Sequence, residues 1–181
     1  IGSGPWVFSI LGILLVGLIS ASIATPSFQI TQFQTSVTYL VASSLVLTGL
    51  VQLAFTRFVS DRLFEKRVDC IMPNLNGVLL IVVLAASLIG TLCLFLVFPG
   101  LSLLYRLLML AGFVLMCAVW VMTVFLSGMK RYHAIVILFG IAYGLIIALA
   151  LLLRPYGLEG LLAGFVLGHL VLVAGMWLLT A

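Results

Sequence analysis

The chain has 181 residues, 65% hydrophobic and only 7% charged, with eight basic and four acidic side chains and a net charge of +4. A soluble domain carries roughly 25% charged residues and a disordered chain has low hydrophobicity, so both classes are excluded. What remains is an all-α polytopic membrane protein.

Six runs reach the ~20 apolar residues that a bilayer core of ~30 Å requires. They are 6–24, 37–55, 77–98, 107–126, 134–153 and 161–179, and none contains an Asp, Glu, Lys or Arg. Transmembrane strands would instead show alternating segments of ~10 residues. The first run ends in Ser22-Ile23-Ala24, which resembles a small-residue cleavage site. It is longer than the apolar core of a signal peptide and no basic segment precedes it, so it reads as a span. The start at Ile1 rather than Met reads as a fragment.

The uncharged segment 25–36 follows, with Gln29, Gln32 and Gln34 among Phe28, Ile30 and Phe33. Amides beside aromatics suit a sugar-contacting surface and equally an ordinary loop on the membrane. The second run carries Ser44, Thr48, Gln52 and Thr56 at four-residue spacing, which puts them on one helix face. That face either lines a hydrated path for a sugar polymer or hydrogen-bonds a neighbouring helix.

The connection 56–76 reads as a cytoplasmic amphipathic segment. Arg57 and Asp61, and Arg62 and Glu65, are spaced to pair on a helix. Lys66 and Arg67 follow, and Phe55, Phe58, Val59 and Leu63 share the apolar side. The segment either docks a cytoplasmic partner through Arg57, Asp61, Arg62, Glu65, Lys66 and Arg67 or is a solvated continuation of the second helix.

Later connections are short, with Pro99-Gly100 and Pro155 as punctuation, so sequential helices are antiparallel neighbours in one six-helix bundle. His133 sits beside Lys130 and Arg131 at a membrane boundary. Gly140 and Gly144, and Gly160, Gly164 and Gly168, form small-residue steps that allow close helix contact or a sliding interface for alternating access. His169 lies in the middle of the sixth run. An ionisable group there is either a functional candidate, here a member of the translocation path, or a neutral hydrogen-bonded structural residue.

The connections after the second and fourth runs hold Arg57, Arg62, Lys66, Arg67, Lys130 and Arg131, whereas the odd-numbered ones hold Arg106 and Arg154. The positive-inside rule puts the even connections and both chain ends in the cytoplasm. The basic excess is therefore an orientation signal, and no nucleic-acid partner is expected. Cys70, Cys93 and Cys117 form no disulfide framework and no zinc spacing. The acids Asp61, Glu65, Asp69 and Glu159 all lie outside the runs. No catalytic residues, metal site or cofactor motif are expected, and the chain reads as a non-enzyme.

Several stretches go further in combination: 2–17, TQFQTSVTYLVASSLVLTGLVQLAFTRFVSDRLFEKR (31–67), 73–80, 104–116, VFLSGMKRYHAIVILF (124–139) and LLRPYGLEGLLAGFVLGH (152–169). In order and spacing they resemble the PelG family of inner-membrane transporters of Pel exopolysaccharide. The resemblance covers nearly the whole chain and corresponds to the N-terminal half of a family with about twice as many helices. It implies a multidrug/oligosaccharidyl-lipid/polysaccharide flippase (MATE-like) fold, in which two six-helix halves face a central cavity. It also implies export of an N-acetylgalactosamine-rich polysaccharide for biofilm matrix. The partners it implies are a cytosolic glycosyltransferase and inner-membrane Pel scaffold proteins, besides membrane lipid. Two other functions fit the residues: an ion-coupled drug or solute exchanger of the same superfamily, and a membrane scaffold for a polysaccharide synthase.

Overall fold

The computed structural model describes residues 10–12, 14, 15, 18, 27–97 and 100–180. The run 6–24 and the site Ser22-Ile23-Ala24 therefore lie mostly or wholly outside the described residues. The elements are α1 (Ser27–Phe64), a 3₁₀ turn (Val68–Cys70), α2 (Ile71–Leu92) passing into a π-helical turn (Cys93–Val97), α3 (Leu103–Gly128), α4 (Tyr132–Leu153), a 3₁₀ turn (Arg154–Tyr156) and α5 (Gly157–Thr180). No strand occurs among the described residues.

Four stretches among the described residues are long and apolar enough to cross a bilayer: Phe28–Phe64, Ile71–Leu96, Leu103–Gly128 and Tyr132–Thr180. The last, at 49 residues, contains both runs 134–153 and 161–179. It is folded back on itself at Arg154–Tyr156, where Pro155 sits in the turn and Gly157 adopts a φ of +68°.

The central helix is α3, closed on nearly every side from Gly112 to Leu126. Its start is fixed by Ser102, whose hydroxyl accepts the Tyr105 N–H at 3.1 Å as an N-cap. Helix α1 runs parallel to it. Ile30, Phe33, Val37, Leu40, Ser44, Thr48, Phe55 and Val59 form its buried stripe, and Phe55 stacks on Phe125 at 6.3 Å. Helix α2 is peripheral and buries only Ile71, Leu75, Val82, Ala86 and Gly90. An open apolar groove between α1 and α2 is lined by Val51, Phe55, Phe58, Val78 and Val82.

Helix α1 differs from the sequence expectation. It has 38 residues, about 57 Å at 1.5 Å per residue, so it overhangs a ~30 Å core at both ends. Residues 27–36 are its first turns rather than a loop, while 56–64 are its last turns, the solvated continuation of the second run that the sequence offered. The reason is continuity: from 27 to 64 there is no proline and a single glycine, Gly49. The apolar spacing of Ile30, Phe33, Val37 and Leu40 also carries the α3-facing stripe to the helix start. The connection 56–76 thus divides into the end of α1, the turn around Lys66, the 3₁₀ turn and the start of α2.

The α4–α5 hairpin packs through the Gly160, Gly164 and Gly168 ridge. A Cβ there would lie 1.9 Å from the Leu153 carbonyl oxygen, 2.5 Å from the Ala150 nitrogen and 2.1 Å from Ile146 Cγ1 respectively. Backbone contact this close leaves room only for hydrogen. Gly144, by contrast, is exposed with nothing near its missing Cβ among the described residues.

The ends of the bundle collect opposite kinds of residue. One end gathers Arg57, Arg62, Lys66, Arg67, Lys130 and Arg131. There the Arg131 guanidinium donates to the Leu179 carbonyl at 2.5 Å and satisfies a free carbonyl of the α5 C-terminus. The other end gathers Arg106, Arg154, Glu159 and the first turns of α1. There Ser36 and Tyr105 share a buried hydroxyl contact of 2.6 Å, and the Ser102 hydroxyl donates to the Glu159 carboxylate.

Candidate functional site

The polar stripe on α1 divides along its length. Ser44 and Thr48 are fully buried, Gln52 is half-buried and Thr56 is exposed. Trp120 of α3 donates its indole N–H to the Ser44 hydroxyl at 2.9 Å. Ser44 donates to the Val41 carbonyl at 2.9 Å and Thr48 to the Ser44 carbonyl at 2.7 Å. Gln52 donates an amide proton to the Thr48 hydroxyl at 2.8 Å. The result is a chain of polar groups between α1 and α3, sealed at Ser44 and Thr48 and half-buried at Gln52 toward the basic end. Each hydroxyl proton is already used, so the chain can hold two helices together but holds no acid, base or nucleophile for covalent chemistry.

His169 lies elsewhere, between α5 and α4, and is completely buried. Its Nδ1 is 2.9 Å from the Phe165 carbonyl oxygen. A carbonyl only accepts, so Nδ1 is assigned the proton, and Nε2 accepts from the Tyr143 hydroxyl at 3.4 Å. Phe165 and Tyr143 close over the ring, with centroids at 4.1 and 5.6 Å. The structure therefore does not bring His169 together with Ser44, Thr48 and Gln52. They occupy two separate interhelical contacts.

At the basic end, the Arg57–Asp61 pair is long, 3.9 Å, and well exposed. Arg62 and Glu65 pair at 2.5 Å, and the Arg62 guanidinium also lies over the Phe58 ring at 5.4 Å. Exposed pairs of this kind contribute ~1 kcal/mol at most, so they leave a charged surface rather than build a core. Phe55 and Val59 are buried, Phe58 and Leu63 half-buried, and Phe64 is exposed. Lys66 takes a left-handed φ of 59° and, with Arg67, closes the helix end. Arg67 N–H bonds the Arg62 carbonyl at 2.9 Å and Lys66 N–H the Leu63 carbonyl at 3.2 Å, which is a Schellman termination. His133 is exposed.

Sequence spacing did not single out Trp120, Tyr143, Tyr105 or Ser36. Their roles arise from pairings across 26 to 76 positions of chain. It also passed over the exposed face of the first half of α1, with Thr35, Thr38, Tyr39 and Ser43. A repeat of hydroxyls at three- and four-residue steps was the available signal. Among the described residues no group of three or more His, Cys, Asp or Glu could hold a metal ion.

No curated protein and no solved structure matches the chain. A family model does, over residues 1–181, under the description "PelG: Putative exopolysaccharide Exporter (EPS-E)". This membrane protein, all-helical over its described residues, therefore belongs to the PelG family of exopolysaccharide exporters.

Proposed function

We propose that the chain is one six-span half of an inner-membrane transporter that carries Pel-type, N-acetylgalactosamine-rich polysaccharide out of the cell. The observation that carries the reading is the family match along the whole chain. A family described as exporters, together with a bundle whose described polar groups hold no reactive constellation, supports transport rather than catalysis. The reading counts six spans: the run 6–24, α1, α2, α3, and α4 and α5 as separate crossings. The last two are 22 and 24 residues long, enough for one bilayer each. The second half of the flippase-like fold would close the path from the other side.

The charge bias supports an orientation with the basic end, and both ends of the chain, in the cytoplasm. In that orientation the exposed Arg57, Asp61, Lys66 and Arg67 face the compartment where polymer is made. A cytosolic glycosyltransferase and the membrane scaffold proteins of the export system are the partners proposed for this surface.

The test uses the host. Deleting the complete gene and restoring it from a plasmid should abolish and then restore N-acetylgalactosamine polymer outside the cells, with polymer or its activated precursor retained inside the deletion strain. Unchanged secretion in the deletion strain would remove the reading.

A further inference from the structure

Every other described helix that exposes a long face exposes aliphatic side chains. On α2 these are Leu80, Ile81, Leu84, Leu88 and Leu92; on α4, Val136, Ile137, Ile141 and Leu152; on α5, Leu167, Leu170 and Leu178. Such faces match hydrocarbon, which asks for no hydrogen bonds. The first half of α1 is different. Its exposed positions run Thr31, Thr35, Thr38, Tyr39, Ala42 and Ser43, with no exposed large aliphatic side chain between Phe28 and Val46. At 100° per residue these positions fall on one side of the helix, and they cover about 18 Å of its length.

The depth of this face matters. Ser36 meets Tyr105 in the first turn of α3, so Tyr39 and Ser43 lie one to two turns below the start of the central helix. Thr38 donates to the Gln34 carbonyl at 2.7 Å and Ser43 to the Tyr39 carbonyl at 2.6 Å. Each of these exposed hydroxyl oxygens keeps its acceptor capacity. The Tyr39 phenol is 69% exposed and makes no hydrogen bond within the described residues, so it offers both a donor and an aromatic face. No charged residue occurs anywhere in 1–56, so the strip matches a neutral polyhydroxyl chain and not an anionic headgroup, which would call for Lys or Arg.

We infer that the exposed hydroxyl face of α1, Thr35, Thr38, Tyr39 and Ser43, is the surface along which the exported sugar polymer slides in the half of the path away from the basic end. The inference rests on the proposed export function and moves the path from the sealed Ser44–Thr48 side of α1 to its opposite, open side. Weak acceptors on a rigid helix suit sliding: each sugar hydroxyl exchanges one partner for the next without a tightly held intermediate. The buried side then has the separate task of holding α1 to α3.

The test is made in the full-length protein in its host. The variant T35V/T38V/S43A keeps shape and removes three hydroxyls. It should lower extracellular polymer about tenfold or more at unchanged protein level, since each lost hydrogen bond costs a factor of a few. The variant T35S/T38S/S43T should export normally. In a second arm, S43C is placed in a background with Cys70→Ser and Cys93→Ser and treated with a membrane-impermeant thiosulfonate. Labelling should be fast where L84C is inert, and should slow several-fold while polymer is being made. Normal export by T35V/T38V/S43A, an inert S43C, or labelling at one rate with and without synthesis would each overturn the inference and leave the export function standing. Unchanged secretion on gene deletion would overturn both.

Discussion

Two lysines sit where glycine is the ordinary choice. Lys66 ends α1 and Lys130 ends α3, each with a φ of 59°. Each is followed by an arginine whose N–H reaches back five residues, Arg67 to Arg62 and Arg131 to Leu126. A left-handed conformation costs a residue with a Cβ roughly 1 kcal/mol, and a cation at a helix C-terminus recovers part of that. Both lysines lie at the same end of the bundle, so their charge adds to the basic end at some expense of stability. Lys130→Gly is therefore expected to stabilise the purified protein by about 0.5 kcal/mol, read as a rise in melting temperature in detergent. A fall would show that the charge outweighs the backbone term. The Trp120–Ser44 contact is a second residue-scale case. A cycle of Trp120→Phe, Ser44→Ala and the double variant should give a coupling near 0.6 kcal/mol and no more than about 1.7. Strict additivity would mean that the indole and the hydroxyl act independently. The sequence made Ser44 and Thr48 legible as a polar face, because four-residue spacing is a helix property. It could not say which helix that face meets, because Trp120 is 76 positions away and one sequence carries no record of that pairing.

At the scale of elements, charge-free runs announced the helices and misjudged their ends. The segment 27–36 reads as a loop because it falls between two apolar runs and carries three glutamines. The buried Ile30, Phe33 and Val37 show that the helical period had already begun, and packing on α3 outweighs the modest propensity of Gln and Thr. Gln34→Pro separates the two descriptions. In a loop it would be tolerated. In the third turn of α1 it removes the hydrogen bond to Ile30 and clashes with that carbonyl, at about 3 kcal/mol. The expected result is a sharply lower level of folded protein in the membrane, whereas Gln34→Ala should be neutral. The glycine ridge of α5 illustrates the opposite case. Gly160, Gly164 and Gly168 were readable as a packing surface from spacing alone, whereas Gly144, from the same kind of pattern, meets no partner among the described residues. Spacing reports which positions share a face, and only the fold decides whether a partner covers it.

For the whole molecule, the arrangement of charge is more informative than its amount. The chain folds so that its two richly basic connections meet at one end, while the remaining basic residues, Arg106 and Arg154, lie at the other with Glu159. The positive-inside rule is a statement about insertion, and the fold adds what insertion implies for the path. With the basic end in the cytoplasm, the half-buried Gln52 end of the polar chain lies on the side of synthesis. The open hydroxyl face of α1 then lies on the side of release. If the molecule were inverted, that face would be the entrance. Cys70 reports on the choice, because it lies at the basic end between Asp69 and the first turn of α2 and is only half-buried. A membrane-impermeant maleimide should leave Cys70 untouched in intact cells with the outer face accessible. In a background with Cys93→Ser, it should modify Cys70 in inverted inner-membrane vesicles, and Cys70→Ser should remove that signal. Labelling from outside would turn the bundle over. The charge bias would then have been outvoted by sequence beyond these residues, and the hydroxyl face of α1 would become the place where polymer enters.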